Sequence, residues 1–234
     1  MNFINAAGKE HKETFNKLLL GVLIALLFIV GFNALRLSTI NNALETSAST
    51  TVPGTAAPTV SGGASTILPQ GVPAIYGQEL GVSFNDVSPN NPRLADKTIS
   101  ALGALDQQIV LTPAQQERYI NALYTLNNGL SCEYCCGARA VIFPNGQPAC
   151  GCAHSYAMRG VAKYLLTRHG DQFTDEQIQE EAAKWKMLFF PGQMELKAKV
   201  LASKGIERNN INLASNKYRG IEQGASAGSM VGGC

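Results

Sequence analysis

The sequence predicts a mainly α protein: an N-terminal transmembrane helix, a flexible linker, and a small helical bundle carrying a cysteine-rich hairpin insertion. Three observations predict this. Leu18 to Leu35 contains no charged residue and is built almost wholly from Leu, Ile, Val, Ala, Phe and Gly. Ser38 to Pro73 is rich in Ser, Thr, Ala, Pro and Gly, with no aromatic residue and one charge, Glu45. Beyond residue 76, capping signals recur before stretches with helical apolar spacing.

The first element, 1–17, carries Lys9, Lys12 and Lys17. The apolar run after it, rising about 1.5 Å per residue, covers roughly 27 Å, close to the thickness of a bilayer core. Residues 18–37 are therefore expected to cross the membrane once. A cleaved signal peptide is the competing reading, but the run is longer than a signal h-region and no small-x-small cleavage site follows. A buried soluble helix would need a polar face, which the run lacks. Arg36 alone follows closely, and the next basic residue is Arg93. The positive-inside rule then places 1–17 in the cytoplasm and the remainder outside the cell membrane. No Leu-x-x-Cys lipidation site lies near the span, so the anchor is the helix.

The linker, 38–75, is too poor in apolar residues to offset chain entropy. As a flexible coil it would span about 30–36 Å root-mean-square, holding the folded part off the membrane.

The folded part is expected over 76–205. Leu94, Ile99, Leu102 and Leu105 fit one helical face. Thr112-Pro113-Ala-Gln115 offers an N-cap, a proline at the first helical position and a capping-box glutamine; Ile120, Leu123 and Leu126 continue that helix toward Gly129. The apolar Ala140–Phe143 precedes the turn residues Pro144-Asn145-Gly146, which suggests a short hairpin. Ala153 to Arg168 reads as a helix with His154, Met158, Val161 and Leu165 on its core face, stopped at His169-Gly170. Thr174-Asp-Glu-Gln177 is a second capping box, opening a helix whose stripe is Ile178, Ala182, Trp185, Leu188 and Phe189. Pro191 is expected to end it, and Met194 to Lys204 to form a last short helix closed by Gly205. The Asn-, Ser- and Gly-rich remainder, 206–234, is expected to be disordered, with Cys234 a flexible thiol or an intermolecular bridge.

The chemistry lies in the cysteines. Five of the six fall within twenty-one residues, in Cys132-Glu-Tyr-Cys135-Cys136 and Cys150-Gly-Cys152-Ala-His154. Five thiols cannot all pair among themselves. Cys135 and Cys136 are adjacent, with Cα atoms about 3.8 Å apart, below the disulfide range of about 4.4–6.8 Å. Thiolate and imidazole together are the preferred donors for Zn(II), Cu(I) and iron–sulfur centres. The predicted ligands are Cys132, Cys135, Cys136, Cys150, Cys152 and His154, with Cys136 surplus to one ion or helping a second. The metal is expected to be structural zinc or a handled soft ion such as copper. The hairpin must fold the second cysteine pair back onto the first for this to work.

Two readings compete. Structural disulfides joining Cys132 or Cys135 to Cys150 or Cys152 would staple the hairpin, giving a surface or assembly module without enzymatic activity that could enter a homo- or hetero-oligomer. Cys132-x-x-Cys135 also has oxidoreductase spacing, and an exported protein meets an oxidising compartment. Cys150 or Cys152 with His154 as base could form a nucleophilic pair, but no Asp or Asn motif stands out to orient the imidazole. Haem attachment is excluded, because neither cluster is Cys-x-x-Cys-His. With 19 basic and 17 acidic residues and no basic stripe interleaved with aromatics, nothing suggests a nucleic-acid partner.

The segment Cys150-Gly-Cys152-Ala-His154-Ser155, then a helix, then Thr174-Asp-Glu-Gln-Ile178 opening another, resembles the PCYCGC-motif proteins. That resemblance implies an exported, membrane-attached protein with a Cys-Gly-Cys site, and no particular activity. This chain departs from the motif in having Pro148-Ala149 before Cys150, an added cluster at Cys132, Cys135 and Cys136, and a helix in place of a lipid anchor.

Overall fold

The computed structural model describes residues 67–223 and 230–232. The predicted membrane span, the segment before it and most of the linker lie outside those residues, as does Cys234. No helix among the described residues is long and apolar enough to cross a membrane.

The described chain is mainly helical. Its helices are α1 (Gly77–Leu80), α2 (Pro92–Gln108), α3 (Pro113–Ile120), α4 (Ala153–Arg168), α5 (Asp175–Phe189), α6 (Pro191–Ser203) and α7 (Asn210–Ala214). Local chemistry sets most of their starts. Thr112 and Gln115 cap α3 reciprocally, and Thr174 and Gln177 do the same for α5. Asn91 caps α2, whose first residue is Pro92. After α3 the chain continues through a wide turn, Asn121–Thr125, and a tight one, Leu126–Asn128, to Gly129 at φ +86°.

Helix α4 is the central element, packed against α2 on one side and α5 on the other. Its approach to α2 is close enough that a Cβ on Gly160 would strike the Leu102 carbonyl. Ile99 and Leu102 of α2, Met158, Val161 and Leu165 of α4, and Trp185 and Phe189 of α5 are buried together. One charge pair lies inside this core: Arg159 Nε donates to Asp106 Oδ2 at 2.7 Å, and both side chains are almost fully buried.

Three expectations are corrected. Pro191 does not merely end α5. The chain turns at Phe190, and Pro191 is the first residue of α6, where its missing N–H costs nothing. Order also begins before residue 76. Gly71, at φ +78°, accepts from Phe84 N and Ser83 Oγ at 2.8 and 2.9 Å, and Ile67 and Leu68 pack on the core.

The third correction is the largest: 206–223 is folded, not disordered. Asn209 caps α7, and Leu213 and Ala214 are fully buried. Asn216 then ties this tail to the loop before the cysteines. Its backbone N–H donates to Gly129 O at 2.9 Å, its Nδ2 donates to Asn128 O and Arg139 O, and its Oδ1 accepts from Ser131 Oγ at 2.6 Å. The composition argument fails because asparagines here satisfy backbone groups of distant loops, and a few apolar anchors suffice.

Candidate metal centre

The two cysteine stretches converge. The first leaves the wide turn after α3 as an extended segment: Leu130 N–H donates to Leu123 O, and Val141 N–H donates to Leu130 O at 2.8 Å. The second arrives through the expected hairpin turn. Phe143 N–H donates to Gln147 O and Ala149 N–H to Val141 O, and Ile142 pairs antiparallel with Pro148. This is a single bridge and not a pair of strands. Arg159 fixes the hairpin from below: one guanidinium nitrogen donates to both Val141 O (3.1 Å) and Cys150 O (2.8 Å).

Cys152 is the N-cap of α4. Its sulfur accepts from Ser155 N–H at 3.4 Å, the place a serine or aspartate oxygen usually fills. A helix N-terminus favours negative charge, so the thiolate is the form this position stabilises. Cys132 Sγ lies 3.2 Å from Cys152 Sγ and 2.9 Å from Ser155 Oγ. Cys150 Sγ is 3.5 Å from Cys152 Sγ. The sulfurs of Cys132, Cys136, Cys150 and Cys152 all lie within 4.8 Å of one another. In a tetrahedral zinc thiolate, with Zn–S near 2.3 Å, neighbouring sulfurs are about 3.8 Å apart. The Cys132–Cys152 and Cys150–Cys152 separations approach that spacing, whereas Cys136 and Cys150 are at disulfide distance.

A second group overlaps the first. Cys135, Cys152 and a ring nitrogen of His154 also lie within 4.8 Å of one another. All six predicted ligands thus fall in two sets that share Cys152. His154 is fully buried against Phe189 (tilted) and Phe190 (edge-on) at centroid distances of 4.7 and 5.1 Å. Its Nε2 is 2.8 Å from the carbonyl of Val231. A carbonyl can only accept, so Nε2 donates to it. Fixing one ring nitrogen on a backbone carbonyl is the usual orienting support of a metal-bound histidine. Val231 is itself held, its N–H donating to Phe189 O at 2.8 Å. Sequence reasoning gave no role to this C-terminal segment.

The disulfide expectation needs correction. Cys132 and Cys152, two of the residues proposed to be bridged, are the free thiols among the described residues, and Cys136 and Cys150 lie at disulfide distance. Cys135 is not a free thiol. Burial divides the cluster. Cys132, Cys150 and Cys152 are buried, whereas Cys136 is exposed and is flanked by the exposed Gly137.

Electrostatics distinguish the two free thiols. The hydrogen bond from Cys132, then those from His154 and Ser155, hold Cys152 far below the ordinary thiol range, outweighing its burial. The hydrogen bond to Cys152 and burial push Cys132 far up. The two shifts run in opposite directions across the 3.2 Å contact.

Glu133 has φ +56°, and its carboxylate is buried. It sits 3.0 Å from Lys186 Nζ and 3.6 Å from Lys197 Nζ, and both lysine side chains are fully buried. Its other oxygen accepts from Gly220 N–H at 2.7 Å. Burial alone would raise the Glu133 carboxyl, but Lys186 and Lys197 bring it below the ordinary range. Lys186 also donates to Ala214 O at 2.7 Å, and Tyr134 OH donates to Glu222 Oε1 at 2.6 Å. The cysteine loop is therefore clamped by α5, α6 and the tail. Nothing in the local pattern around Glu133 signals this, since every partner lies more than fifty residues away.

No family model, curated protein or solved structure matches the chain.

Proposed function

We propose that this protein is a single-pass membrane protein that displays, outside the cell membrane, a helical domain holding a thiophilic metal ion on its Cys/His centre. One observation carries the reading: four cysteine sulfurs from two separated stretches lie within 4.8 Å of one another. His154 supports it, being oriented by a backbone carbonyl and lying with Cys135 and Cys152 in a second group of possible ligands. Zn(II) and Cu(I) both suit thiolate and imidazole donors. The membrane attachment rests on the apolar run in 18–37 and on the resemblance to exported PCYCGC-motif proteins.

The test is elemental analysis of the full chain, purified under argon and reduced, before and after a chelator. The reading requires stoichiometric metal whose removal lowers thermal stability. A metal-free protein that is equally stable with and without chelator contradicts it.

A second reading is favoured by the disulfide distance between Cys136 and Cys150. In it the centre is a staple, the domain is a surface or assembly module, and the protein has no enzymatic activity. Persistent metal-free disulfide after purification from the oxidising compartment would support that reading.

A further inference from the structure

The cluster offers its sulfurs unequally. Cys132 and Cys152 are free and buried. Cys136 and Cys150, which complete the four-sulfur set, lie at disulfide distance from each other. A sulfur engaged in a disulfide has no thiolate to give a metal, since the ligand must be the deprotonated thiol. The four-sulfur site therefore cannot fill until that bond opens. The two residues differ in exposure: Cys136 is exposed, whereas Cys150 is buried beside Cys152 with its carbonyl held by Arg159.

We propose that Cys136 is a thiol–disulfide exchange site for an external dithiol, and that reduction there switches the centre from closed to metal-binding. This rests on the metal reading above. The partner's thiolate attacks Cys136 Sγ. A mixed disulfide forms, the Cys136–Cys150 bond breaks, and Cys150 leaves as a thiolate. The partner's second thiol then attacks its own sulfur in the mixed disulfide and releases Cys136 as a thiolate. The dithiol gives up two electrons and becomes a disulfide, and its two protons go to solvent or to the released sulfurs. Four cysteine sulfurs are then available within one coordination sphere. In-line attack on Cys136 Sγ needs approach along the S–S axis from the Cys136 side, the side of the exposed residue.

The experiment uses the full chain in detergent, air-oxidised and then either left so or reduced with dithiothreitol, which is removed before zinc titration under argon. A parallel sample is trapped with glutathione and mapped by mass spectrometry. Zinc is expected to bind the reduced protein at least about tenfold more tightly than the oxidised one, because two of four donors are otherwise missing. Glutathione is expected on Cys136 and not on Cys150. Cys136→Ser, which cannot form the Cys136–Cys150 bond, should bind zinc with the same affinity before and after dithiothreitol. Equal zinc affinity of oxidised and reduced wild-type protein overturns the switch and leaves the metal reading standing. Glutathione on Cys150 overturns the point of attack. No zinc binding in either state overturns the metal reading and the switch with it.

Discussion

Replacing Arg159 by methionine tests how the second cysteine stretch is held. The guanidinium is fully buried and its partner Asp106 nearly so. It makes a 2.7 Å contact with Asp106 and donates to the Val141 and Cys150 carbonyls. Removing one member of a buried ion pair typically costs about 3–5 kcal/mol. Lys163, 2.8 Å from the other Asp106 oxygen and partly exposed, still compensates the carboxylate and favours the lower figure. The Cys150 carbonyl loses its donor, adding about 1 kcal/mol or more and pushing the figure back up, while Val141 O keeps Ala149 N–H. Arg159→Met should therefore lose about 4 kcal/mol, a drop in melting temperature of about 8–16 °C for a domain of this size. Urea unfolding of the reduced, metal-free protein measures it. Because Cys150 is held only through its carbonyl here, zinc affinity of the folded fraction should fall about 10–100-fold, as for other supports of a ligand. Arg159→Lys keeps the charge but not the fork, and should fall between the two. A loss below about 1 kcal/mol, or unaltered zinc affinity, would refute the idea that this side chain positions the hairpin.

Four other outcomes follow from the same geometry. Cys132→Ser and Cys152→Ser should each abolish stoichiometric metal in elemental analysis of the reduced protein. Thiolate absorbance near 240 nm should persist in the metal-free protein well below the ordinary thiol pKa of about 8.5, vanish in Cys152→Ser, and shift upward in Cys132→Ala. The Glu133 carboxyl is held below its usual 4.5 in the folded state, so its stabilisation is present above that pH and is lost as pH falls through the folded value. Glu133→Gln should accordingly be less stable than wild type at pH 6, with the gap closing below pH 4.5, measured by urea unfolding across that range. Leu213→Ala should cost about 2–5 kcal/mol in the same assay, since the side chain is fully buried; a neutral effect would restore the disordered tail.

The helices were legible because their signals are local. Thr112 with Gln115 and Thr174 with Gln177 announce two starts, and the spacing of His154, Met158, Val161 and Leu165 marks the core face of α4. The cysteine site was legible by composition: six soft donors in a short span, with a turn between them. What could not be read is everything that crosses the chain. Arg159 looks like a surface arginine on a helix until Asp106 and the Cys150 carbonyl are placed around it. Lys186 and Lys197 look like solvent-facing charges, yet both meet Glu133 inside the fold. Val231 sits in a Gly-rich tail that composition assigns to disorder, and its one relevant atom, a carbonyl oxygen, has no sequence signature. Pro191 was misjudged because a proline that ends one helix is equally suited to begin the next.

The most direct test is X-ray absorption spectroscopy of the reduced, zinc-loaded chain. Sulfur scatterers near 2.3 Å should dominate the coordination sphere, and the Cys152→Ser protein should lose that signal. A sphere of nitrogen and oxygen alone, near 2.0–2.1 Å, would place the metal elsewhere and contradict the account.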